Sequence, residues 1–440
     1  MKRHRKKMNL LSEIERVFPP RVISLLRRIG EIAEDRGQNV YLVGGVVRDI
    51  FLGVKNLDID ISIEGEGIEF ARELARQLTG WVKAETRFGT AIVTFRGLPK
   101  VDVATCRREY YHSPGALPEV ISSSIKNDLY RRDFTINAMA VKLNPARIGE
   151  LVDFFGGRSD LKKGVVRSLH NRSFLDDPTR IFRAVRFAVR YNFCIETDTE
   201  SLIKEATGRV IFDEITIERV RDELVHIFNE ESVQQAIKKM AELHELKFIH
   251  PGIKLNPETE TFLGELEEVI SWFQSSFPGE KIKKWLSYFI ALLDELTIDE
   301  AKITLKRFHF SEKQTKEAVR MKKSASGRLA ALGRKESKPS EIYRQLRGLS
   351  VELLLFLMAK ARGTARQRIL LYLTKLRHVR LTISGEDLRK AGLSPGPEFA
   401  TILNNMLLTK LDGCLETRED ELIYVNSYLK EQRLKLSKLV

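Results

Sequence analysis

Residues 56–63 read Asn-Leu-Asp-Ile-Asp-Ile-Ser-Ile, an alternation of apolar and polar side chains. Successive side chains of a β-strand point to opposite faces of the sheet. This period of two therefore predicts a strand whose apolar face packs on a core and whose exposed face carries both Asp58 and Asp60.

Two carboxylates about 7 Å apart along a strand repel each other, so a fold that places them together usually holds a cation there. Oxygen ligands favour Mg²⁺, which also binds the phosphates of substrates. The pair therefore indicates a site for phosphoryl or nucleotidyl transfer, with Asp58 and Asp60 as metal ligands. The alternative is an edge strand whose solvent-facing side carries two acids.

A glycine pair precedes this strand. Gly44 and Gly45 follow the apolar segment 40–43, where a strand would turn into a helix. Bare backbone amides at the start of a helix can receive phosphate oxygens. The same pair is also typical of an ordinary tight turn.

A third acid follows in the apolar segment 101–105. Asp102 is a candidate for the group that accepts the proton of an attacking hydroxyl or supports the metal ions. The alternative is an acid at a strand edge that pairs with Arg107 or Arg108.

Residues 128–140 place two arginines and an acid before a short apolar run. Arg131 and Arg132 offer donors suited to phosphate or ribose oxygens, and Asp133 and Asn137 can bind hydroxyl groups. An ion-pair cluster at the start of a strand would look similar.

Residues 173–187 predict a helix with Asp177 as N-cap and Pro178 as first helical residue. Asp177 and Arg180 then lie on neighbouring positions of the first turn, where an acceptor and a donor can face one planar base. Cytosine and adenine present an amino donor beside a ring-nitrogen acceptor, whereas uracil and guanine present a carbonyl beside an N–H. Such a pair would accept C and A and reject U and G. Helix capping alone would also explain Asp177.

The composition limits the class of protein. A chain of 440 residues should form two to four domains, and a hydrophobic fraction of 43% is enough to give them cores. The net charge of +14 predicts a polyanionic partner, either nucleic acid or an anionic membrane surface. Because no apolar run approaches a membrane span and the start lacks a signal-peptide core, we expect a cytoplasmic protein without a membrane partner.

The cysteines and histidines show no metal-binding or disulfide pattern. Cys106, Cys194 and Cys414 are far apart and lack Cys-x-x-Cys spacing, so the chemistry should rest on carboxylates and basic residues. The basic segment 2–7 is either an arm for nucleic acid or a frayed tail.

The hydrophobic pattern predicts a small mixed sheet with flanking helices from about residue 39 to 143, and helices nearly throughout from about residue 174. Besides the strand that carries the aspartates, the predicted strands are 40–43, 89–95 and 101–105. The predicted helices include a short one closed by Gly53, then 68–78, 178–190, 217–228, 233–243 and 282–293.

On these motifs the chain resembles the class II tRNA nucleotidyltransferases, the family of CCA-adding enzymes and bacterial poly(A) polymerases. The matching segments occur in the family's order between about residues 40 and 220. They are Leu-Val-Gly-Gly-Val-Val-Arg-Asp at 42–49 with Leu-Gly at 52–53, Asp-Ile-Asp at 58–60, Arg-Arg-Asp-Phe-Thr-Ile-Asn-Ala at 131–138, Asp-Pro-Thr-Arg at 177–180 and Glu-Arg at 218–219.

The resemblance implies an α+β protein, with a nucleotidyltransferase head of the polymerase β kind followed by an all-α neck, body and tail. The implied divisions are an N-terminal extension at 1–30, a head at 31–160, a neck at 161–225, a body at 226–335 and a tail at 336–440.

The resemblance also implies residue roles. Asp58 and Asp60 would hold two Mg²⁺ ions. Gly44 and Gly45 would lie against the triphosphate, and the ribose would lie near Arg131, Arg132 and Asp133. Asp177 and Arg180 would read the base of the incoming CTP or ATP. The residues assigned to nucleotide binding are Gly44, Gly45, Arg48, Arg131, Arg132, Asp133, Asn137, Asp177, Arg180 and Arg183.

Two departures from the family pattern concern specificity. Asp176 stands where a glutamate is usual. The segment 107–127 corresponds to the family's flexible loop, and its Tyr-Tyr-His-Ser-Pro-Gly at 110–115 resembles members that add only the terminal A or only the two Cs.

Residues 361–380 contain six basic residues and no acid, which indicates either a phosphate track or a solvated face. The resemblance adds that 383–388 and 395–399 belong to a tail segment that touches the tRNA elbow. The predicted RNA-binding residues are Arg362, Arg366, Arg368, Lys375 and Arg377.

We therefore expect an enzyme that adds C, C and A to tRNA without a nucleic-acid template. The terminal 3′-hydroxyl would attack the α-phosphate in line and release pyrophosphate. The alternatives within the family are an A-adding enzyme, a CC-adding enzyme and a poly(A) polymerase. Outside it are a catalytically idle RNA-binding protein, against which both aspartates count, and an enzyme acting on small molecules. The chain could be a monomer or a homodimer.

Overall fold

The computed structural model describes residues 8–55, 57–85, 88–112, 115, 117–208 and 216–437. Asn56 and the basic segment 2–7 lie outside the described residues. The chain divides into two compact units, residues 1–251 and 252–440. The finer division into extension, head, neck, body and tail stays a prediction.

A seven-stranded mixed sheet organises the first unit, with the strand order β3-β4-β5-β2-β1-β8-β9. Strands β2 and β5 pair in parallel, and the other neighbours pair antiparallel. Two more sheets have two strands each, β6-β7 and β10-β11. The strands are β1 Asn39–Val43, β2 Ile59–Glu64, β3 Trp81–Glu85, β4 Thr90–Thr94, β5 Val101–Thr105, β6 Arg107–Tyr110, β7 Glu119–Ser122, β8 Ala140–Lys142, β9 Leu151–Val152, β10 Val165–Val166 and β11 Cys194–Ile195.

Helices surround this sheet and fill the rest of the first unit. They are α1 Leu11–Val17, α2 Pro20–Asp35, α3 Gly45–Leu52, α4 Gly67–Gln77, α5 Ile125–Tyr130, α6 Gly157–Lys163, α7 Ser173–Asp176, α8 Arg180–Tyr191, α9 Thr197–Gly208, α10 Ile217–Ile227 and α11 Val233–Glu242. Short 3₁₀ turns lie at Thr135–Asn137, Pro145–Arg147 and Leu246–Phe248.

The second unit is helical in its described part. Its helices are α12 Pro257–Ser276, α13 Lys284–Leu292, α14 Ile298–Arg307, α15 Glu312–Leu332, α16 Pro339–Leu346, α17 Val351–Lys360, α18 Gly363–Thr374, α19 Gly385–Lys390, α20 Pro397–Leu411 and α21 Arg418–Ser437, with a 3₁₀ turn at Leu376–His378. Residues 353–359 of α17 are buried on all sides, so this apolar helix lies at the centre of its core.

One face of the main sheet packs on α4. The helix buries Phe70 and Leu74 completely, because its apolar residues recur on one side. Ile59, Ile61 and Ile63 of β2 are likewise buried. The opposite face, between β1 and β5, is left for polar side chains.

The structure confirms the α+β class and corrects part of the predicted strand at residues 56–63. Strand β2 begins at Ile59, so Asp58 precedes it, and Leu57 is 45% exposed instead of lying in the core. Asp60 is half-buried, and Ser62 is fully buried although the alternation placed it on the exposed face. The cause is α5, whose Asp128 accepts a hydrogen bond from Ser62.

Among the described residues, no helix combines the length and the apolar character that crossing a membrane requires.

Candidate active site

Asp60 and Asp102 are partners in the parallel ladder of β2 and β5. Residues paired in a ladder point to the same face of the sheet. Asp58, just before β2, is exposed and close enough for its charge to act on Asp60. The three predicted carboxylates therefore lie together at the N-terminal ends of the two central strands.

Neighbouring charges perturb Asp60. Burial raises the pKa of Asp60 to about 6, and the carboxylates of Asp102 and Asp58 add to this rise, while Arg132 opposes it. The part of this rise that comes from Asp102 and Asp58 is repulsion between carboxylates, which a bound cation would relieve.

Asp102 is held at one oxygen and open at the other. Its Oδ2 accepts a 2.7 Å hydrogen bond from Lys100 Nζ, so the structure pairs it with this lysine and not with Arg107 or Arg108, the partners considered from the sequence. Its Oδ1 is buried and has no hydrogen-bond partner in the described part of the chain. This oxygen can still bind a metal ion or accept a proton.

These carboxylates fit Mg²⁺, which prefers oxygen ligands and binds through one or two carboxylates together with substrate phosphates. In the described segments, no three histidine, cysteine, aspartate or glutamate side chains surround one point closely enough to hold a metal ion as they stand. Asp58, Asp60 and Asp102 are thus the residues that would move closer together to coordinate Mg²⁺. The observation that best supports a metal here is the oxygen of Asp102 that has no hydrogen-bond partner among the described residues.

Gly44 forms the turn between β1 and α3 with a φ of 80°. A β-carbon at Gly44 would lie 2.9 Å from Arg132 Nη1 and 3.8 Å from Asp60 Oδ2, so both the conformation and the space require glycine. The N-terminus of α3, at Gly45, therefore opens beside Asp60 and Arg132. Its backbone amides and helix dipole favour an anion there.

A cleft of about 560 Å³ opens at these residues. Seven arginines and four carboxylates line it, and the excess of positive charge suits a polyphosphate. The lining residues are Gly44, Gly45, Arg48, Asp60, Phe88, Arg107, Glu109, Tyr111, Pro118, Arg131, Arg132, Asp133, Asn137, Asp177, Arg180, Arg183, Phe187 and Arg219.

Buried Asp128 orients two of these arginines. It accepts hydrogen bonds from Arg131 Nε at 3.0 Å, Arg131 Nη2 at 2.8 Å and Arg132 Nη2 at 3.1 Å. Burial alone would raise the pKa of Asp128, but the two guanidinium groups outweigh it and hold the pKa at about 2. Asp128 is therefore a fixed anion that keeps Arg132 next to Gly44.

Glu109 connects the β6-β7 hairpin to the same arginines. Its Oε1 accepts hydrogen bonds from Arg131 Nη1 at 3.0 Å and Arg107 Nη2 at 2.9 Å, and its Oε2 accepts one from the Tyr111 hydroxyl at 2.7 Å. Since Glu109 is nearly inaccessible to solvent, the base of the hairpin is anchored to the cleft.

Asp133 joins the segment after α5 to α8. Its Oδ2 accepts hydrogen bonds from Arg183 Nε at 2.8 Å and Nη2 at 2.6 Å, and its Oδ1 accepts one from Asn137 Nδ2 at 3.0 Å. Burial would raise the pKa of Asp133, but these donors hold it at about 2. Arg48 completes the network, because its Nη1 donates to Asn137 Oδ1 at 2.6 Å and its guanidinium lies over the Tyr191 ring.

Asp177 lines the cleft, but its role in the local backbone differs from the predicted helix cap. Helix α8 begins at Arg180 and α7 ends at Asp176, so Asp177 is not the N-cap of a helix that starts at Pro178. Its Oδ1 instead closes a local turn, accepting hydrogen bonds from the backbone N–H and hydroxyl of Thr179. Such local bonding competes with helix formation and delays the helix start.

Arg180 also lines the cleft, and its guanidinium group is held by backbone carbonyl oxygens and a serine. Its Nη2 donates to the carbonyl oxygen of Arg131 at 2.7 Å, and its Nη1 donates to that of Arg132 at 3.2 Å and to Ser173 Oγ at 2.8 Å. The predicted base-reading pair is thereby tied to the arginines that lie beside Asp60.

The predicted RNA-binding arginines of the second unit have carboxylate and carbonyl partners. Arg366 and Arg362 pair with Glu265, Arg377 pairs with Glu280, and Arg368 donates to backbone carbonyls that include Leu332. Lys375 is exposed. The segment 361–380 contains no acid, so its sequence gave no sign of these partners, which lie elsewhere in the chain. RNA binding by this segment stays a prediction.

Two family models match the chain. The poly(A) polymerase head domain matches residues 40–167, and the probable RNA- and SrmB-binding site of polymerase A matches residues 192–256.

Curated relatives extend this match. An A-adding tRNA nucleotidyltransferase of Geobacter sulfurreducens is 43% identical over 93% of this chain, which spans about half of that relative, 47% of its length. An A-adding tRNA nucleotidyltransferase of Halalkalibacterium halodurans is 32% identical, and the alignment covers 97% of each chain. The chain belongs to the tRNA nucleotidyltransferase family. The resemblance predicted from the motifs is thereby confirmed.

Solved structures of the tRNA nucleotidyltransferase family share the fold. The CCA-adding enzyme of Thermotoga maritima, complexed with tRNA, is 34% identical and aligns over 96% of this chain and 99% of that one with a TM-score of 0.82. CCA-adding enzymes complexed with ATP and with CTP give the same identity and TM-score over 96% of this chain and 97% and 99% of theirs.

Most residues predicted for a tRNA nucleotidyltransferase site come together in the first unit. All ten predicted nucleotide-binding residues and Asp60 line the cleft, whereas Asp58 lines a neighbouring groove with Lys100. Sequence reasoning did not assign Asp128, Glu109 or Arg219 to the site. The available signals were that Asp128 and Arg219 stood inside quoted motifs and that Glu109 stood inside the segment 107–127, which resembles the family's flexible loop.

Proposed function

We propose that this chain is an enzyme that adds CCA, or part of it, to the 3′ end of tRNA from CTP and ATP. The pairing of Asp60 with Asp102 next to an arginine-lined cleft carries this proposal. The arginines of the cleft would bind the negative charge of a nucleoside triphosphate. The paired carboxylates lie where the α-phosphate of that triphosphate would react.

In this mechanism the triphosphate lies over Gly44 and the N-terminus of α3, with Arg132 on its flank. Arg132 is fixed by Asp128, so it meets the phosphates without a further ordering cost. Arg131 and Asp133 also line the cleft and would bind the ribose of the nucleotide.

The terminal hydroxyl of the RNA attacks the α-phosphate opposite the leaving pyrophosphate. Asp58 and Asp60 would hold Mg²⁺, which supplies charge neutralisation for the phosphate oxygens when it is bound. Asp102 Oδ1 accepts the proton of the attacking hydroxyl, because Lys100 occupies only Oδ2.

The incoming base is selected at Asp177. In the described part of the chain, the hydrogen bonds to this carboxylate fall on Oδ1, so Oδ2 can accept the amino group that C and A share. Arg180 would provide the matching donor, and its contacts with the carbonyls of Arg131 and Arg132 support coupling between base and ribose recognition.

The proposed partner is tRNA in the cytoplasm, where transfer RNA is processed. The net charge of +14 supports recognition of its backbone, and no reading of a particular base sequence is needed. The tRNA complex of the Thermotoga enzyme supports the same partner here.

An enzyme that adds only the terminal A is the second candidate. It is favoured by the relatives from Geobacter and Halalkalibacterium, both named A-adding and aligned over 93% and 97% of this chain.

The test uses three tRNA transcripts that end before CCA, after C and after CC. Each is incubated with the purified chain, Mg²⁺ and CTP, ATP or both, and the products are separated at single-nucleotide resolution. Completion of CCA on all three supports the first candidate, and addition of A to the CC-ended transcript alone supports the second. No addition to any transcript overturns both.

A further inference from the structure

The face of the sheet that carries the aspartates continues outward across β4 and β3. Asp102 pairs with Ile92 of β4, and Ile92 pairs with Lys83 of β3. Trp81 is two residues from Lys83 and shares its face. Asp60, Asp102, Ile92 and Trp81 therefore lie on one side of one sheet.

This outer part of the face is exposed and carries two large apolar side chains among polar ones. Trp81 is 64% exposed and Ile92 is 39% exposed, although a tryptophan and an isoleucine on a covered sheet would be buried. The two strands are nevertheless packed on their other face. The alternate residues Val82 and Val93 turn toward α4, and Val93 is fully buried. The face thus presents an aromatic ring on the same side of the sheet as the reacting carboxylates, three strands away from Asp60.

We propose that this Trp81 face, formed by Trp81, Ile92 and Lys83, binds the last nucleotides of the RNA whose 3′ end is extended. The inference rests on the proposed function. It assigns the RNA a binding surface in the first unit that is separate from the nucleotide cleft.

The direction of attack supports this assignment. Attacking and leaving oxygens lie in line on opposite sides of the phosphorus. Gly44 and Arg132 draw the leaving phosphates to the β1 side of Asp60, so the hydroxyl must approach from the other side, over Asp102 and β4. The RNA that carries this hydroxyl then lies over β4 and β3.

The distances suit a few nucleotides. Adjacent strands are about 4.8 Å apart, so Ile92 is about 10 Å and β3 about 15 Å from Asp60 across the sheet. At a rise of about 3.4 Å for each stacked nucleotide, this span covers about three or four nucleotides from the reacting end. A base can stack on Trp81 without regard to its identity, while Lys83 and Lys100 meet the backbone phosphates.

The binding test uses a CC-ended tRNA transcript with 2-aminopurine as the third nucleotide from its 3′ end, titrated with the full chain in EDTA with ATP. We expect the fluorescence to be quenched by the natural chain and by Trp81→Phe, and the quenching to be lost in Trp81→Ala. Phe154→Ala is the matched control, because Phe154 is 50% exposed in the same unit but not on this face. Equal quenching by Trp81→Ala and the natural chain would overturn the proposal.

The kinetic test separates this surface from the cleft. Trp81→Ala should raise the KM for tRNA about tenfold, as loss of one stacked base predicts, and leave the KM for ATP unchanged. Ile92→Glu should weaken tRNA binding more than Ile92→Lys, because the two changes remove the same side chain and differ in charge. An unchanged KM for tRNA in all these variants, or a change in oligomeric state alone, would overturn the RNA assignment.

The outcomes distinguish the two proposals. A natural chain that adds no nucleotide sinks the proposed function, and the fluorescence titration still decides whether RNA binds at Trp81. If the natural chain and Trp81→Ala add nucleotides equally well, the proposed function stands and the proposal of an RNA-binding surface at Trp81 is overturned.

Discussion

Arg219 Nη2 lies 2.8 Å from Asp177 Oδ1 and donates a hydrogen bond to it. Through Nη1 the same guanidinium donates to the carbonyl oxygen of Gly115, beyond strand β6. One side chain of α10 therefore links the proposed base reader to the segment that resembles the family's flexible loop.

Arg219→Ala should relax base selection. Without this donor the Asp177 carboxylate can rotate, so the ratio of kcat/KM for ATP over GTP should fall about tenfold or more, the size expected for one lost hydrogen bond to a charged group. Initial rates with all four nucleotides would measure this. The control is Arg190→Ala, which removes a half-exposed arginine paired with Glu230. Unaltered selectivity in Arg219→Ala would contradict the role.

Asp60→Asn should abolish nucleotide addition and preserve tRNA binding, because it removes a metal-holding carboxylate from a site that does not contact the bulk of the RNA. A second readout is thermal stability. Mg²⁺ should raise the Tm of the natural chain, by binding the folded state, and raise that of Asp60→Asn less. Asp35→Asn, at the exposed end of α2, is the control. Full activity in Asp60→Asn would remove Asp60 from the mechanism.

Gly44→Ala should cost more than backbone strain. The new β-carbon would displace Arg132, so the KM for ATP should rise and kcat fall, together by about a hundredfold in kcat/KM, the scale of one lost electrostatic stabiliser. Gly53→Ala is matched to it, since Gly53 also has a positive φ of 67° but no atom within 4 Å of the new β-carbon. It should lower the Tm by a few degrees and leave kcat/KM intact. Equal kinetic losses in both would refute the role of Arg132.

Asp133 should contribute stability that disappears in acid. Its pKa is about 2 in the folded chain and 3.8 as the ordinary value, so the unfolded state binds the proton first as the pH falls. The contribution, about 2 kcal/mol, is complete above pH 4 and is lost toward pH 2. Urea unfolding of the natural chain and Asp133→Asn should therefore differ at pH 6 and converge near pH 2. A difference that stays constant with pH would contradict the ion pair with Arg183.

Arg377→Ala should destabilise the second unit, because Arg377 forms two hydrogen bonds with Glu280. Lys375→Ala should leave its stability unchanged and weaken tRNA binding, with a smaller dependence of the Kd on salt. Thermal unfolding and filter binding at several salt concentrations separate the two effects. Glu280→Gln is the control for Arg377. If Glu280→Gln strengthens tRNA binding, the arginine released from this ion pair can bind RNA.

The sequence predicted those parts of the site that depend on neighbours in the chain. Gly44, Asp60 and Arg132 each stand in a short motif whose chemistry is local, and all three meet at the cleft. Their alignment with Asp102 could not be predicted, because the register between β2 and β5 depends on how the intervening helix and hairpin pack. The expected helix start at Pro178 was also wrong, because Asp177 accepts hydrogen bonds within a local turn and the helix begins at Arg180.

Partners from distant segments were equally hidden. Arg366 and Arg377 meet glutamates about 100 positions away, so a stretch without acids was not a stretch without counter-charges. Ser62 looked like a solvent-facing residue until the contact with Asp128, 66 positions later, buried it.

The parallel pairing of β2 with β5 also sets an order of events during synthesis. Parallel neighbours cannot be joined by a tight turn, and here α4, β3 and β4 must be made between them. A nascent chain that ends before Asp102 therefore carries Asp60 without its partner in the ladder. The proposed site for nucleotide addition therefore cannot form during synthesis until β5 has been added, and Arg219 joins it more than a hundred residues later.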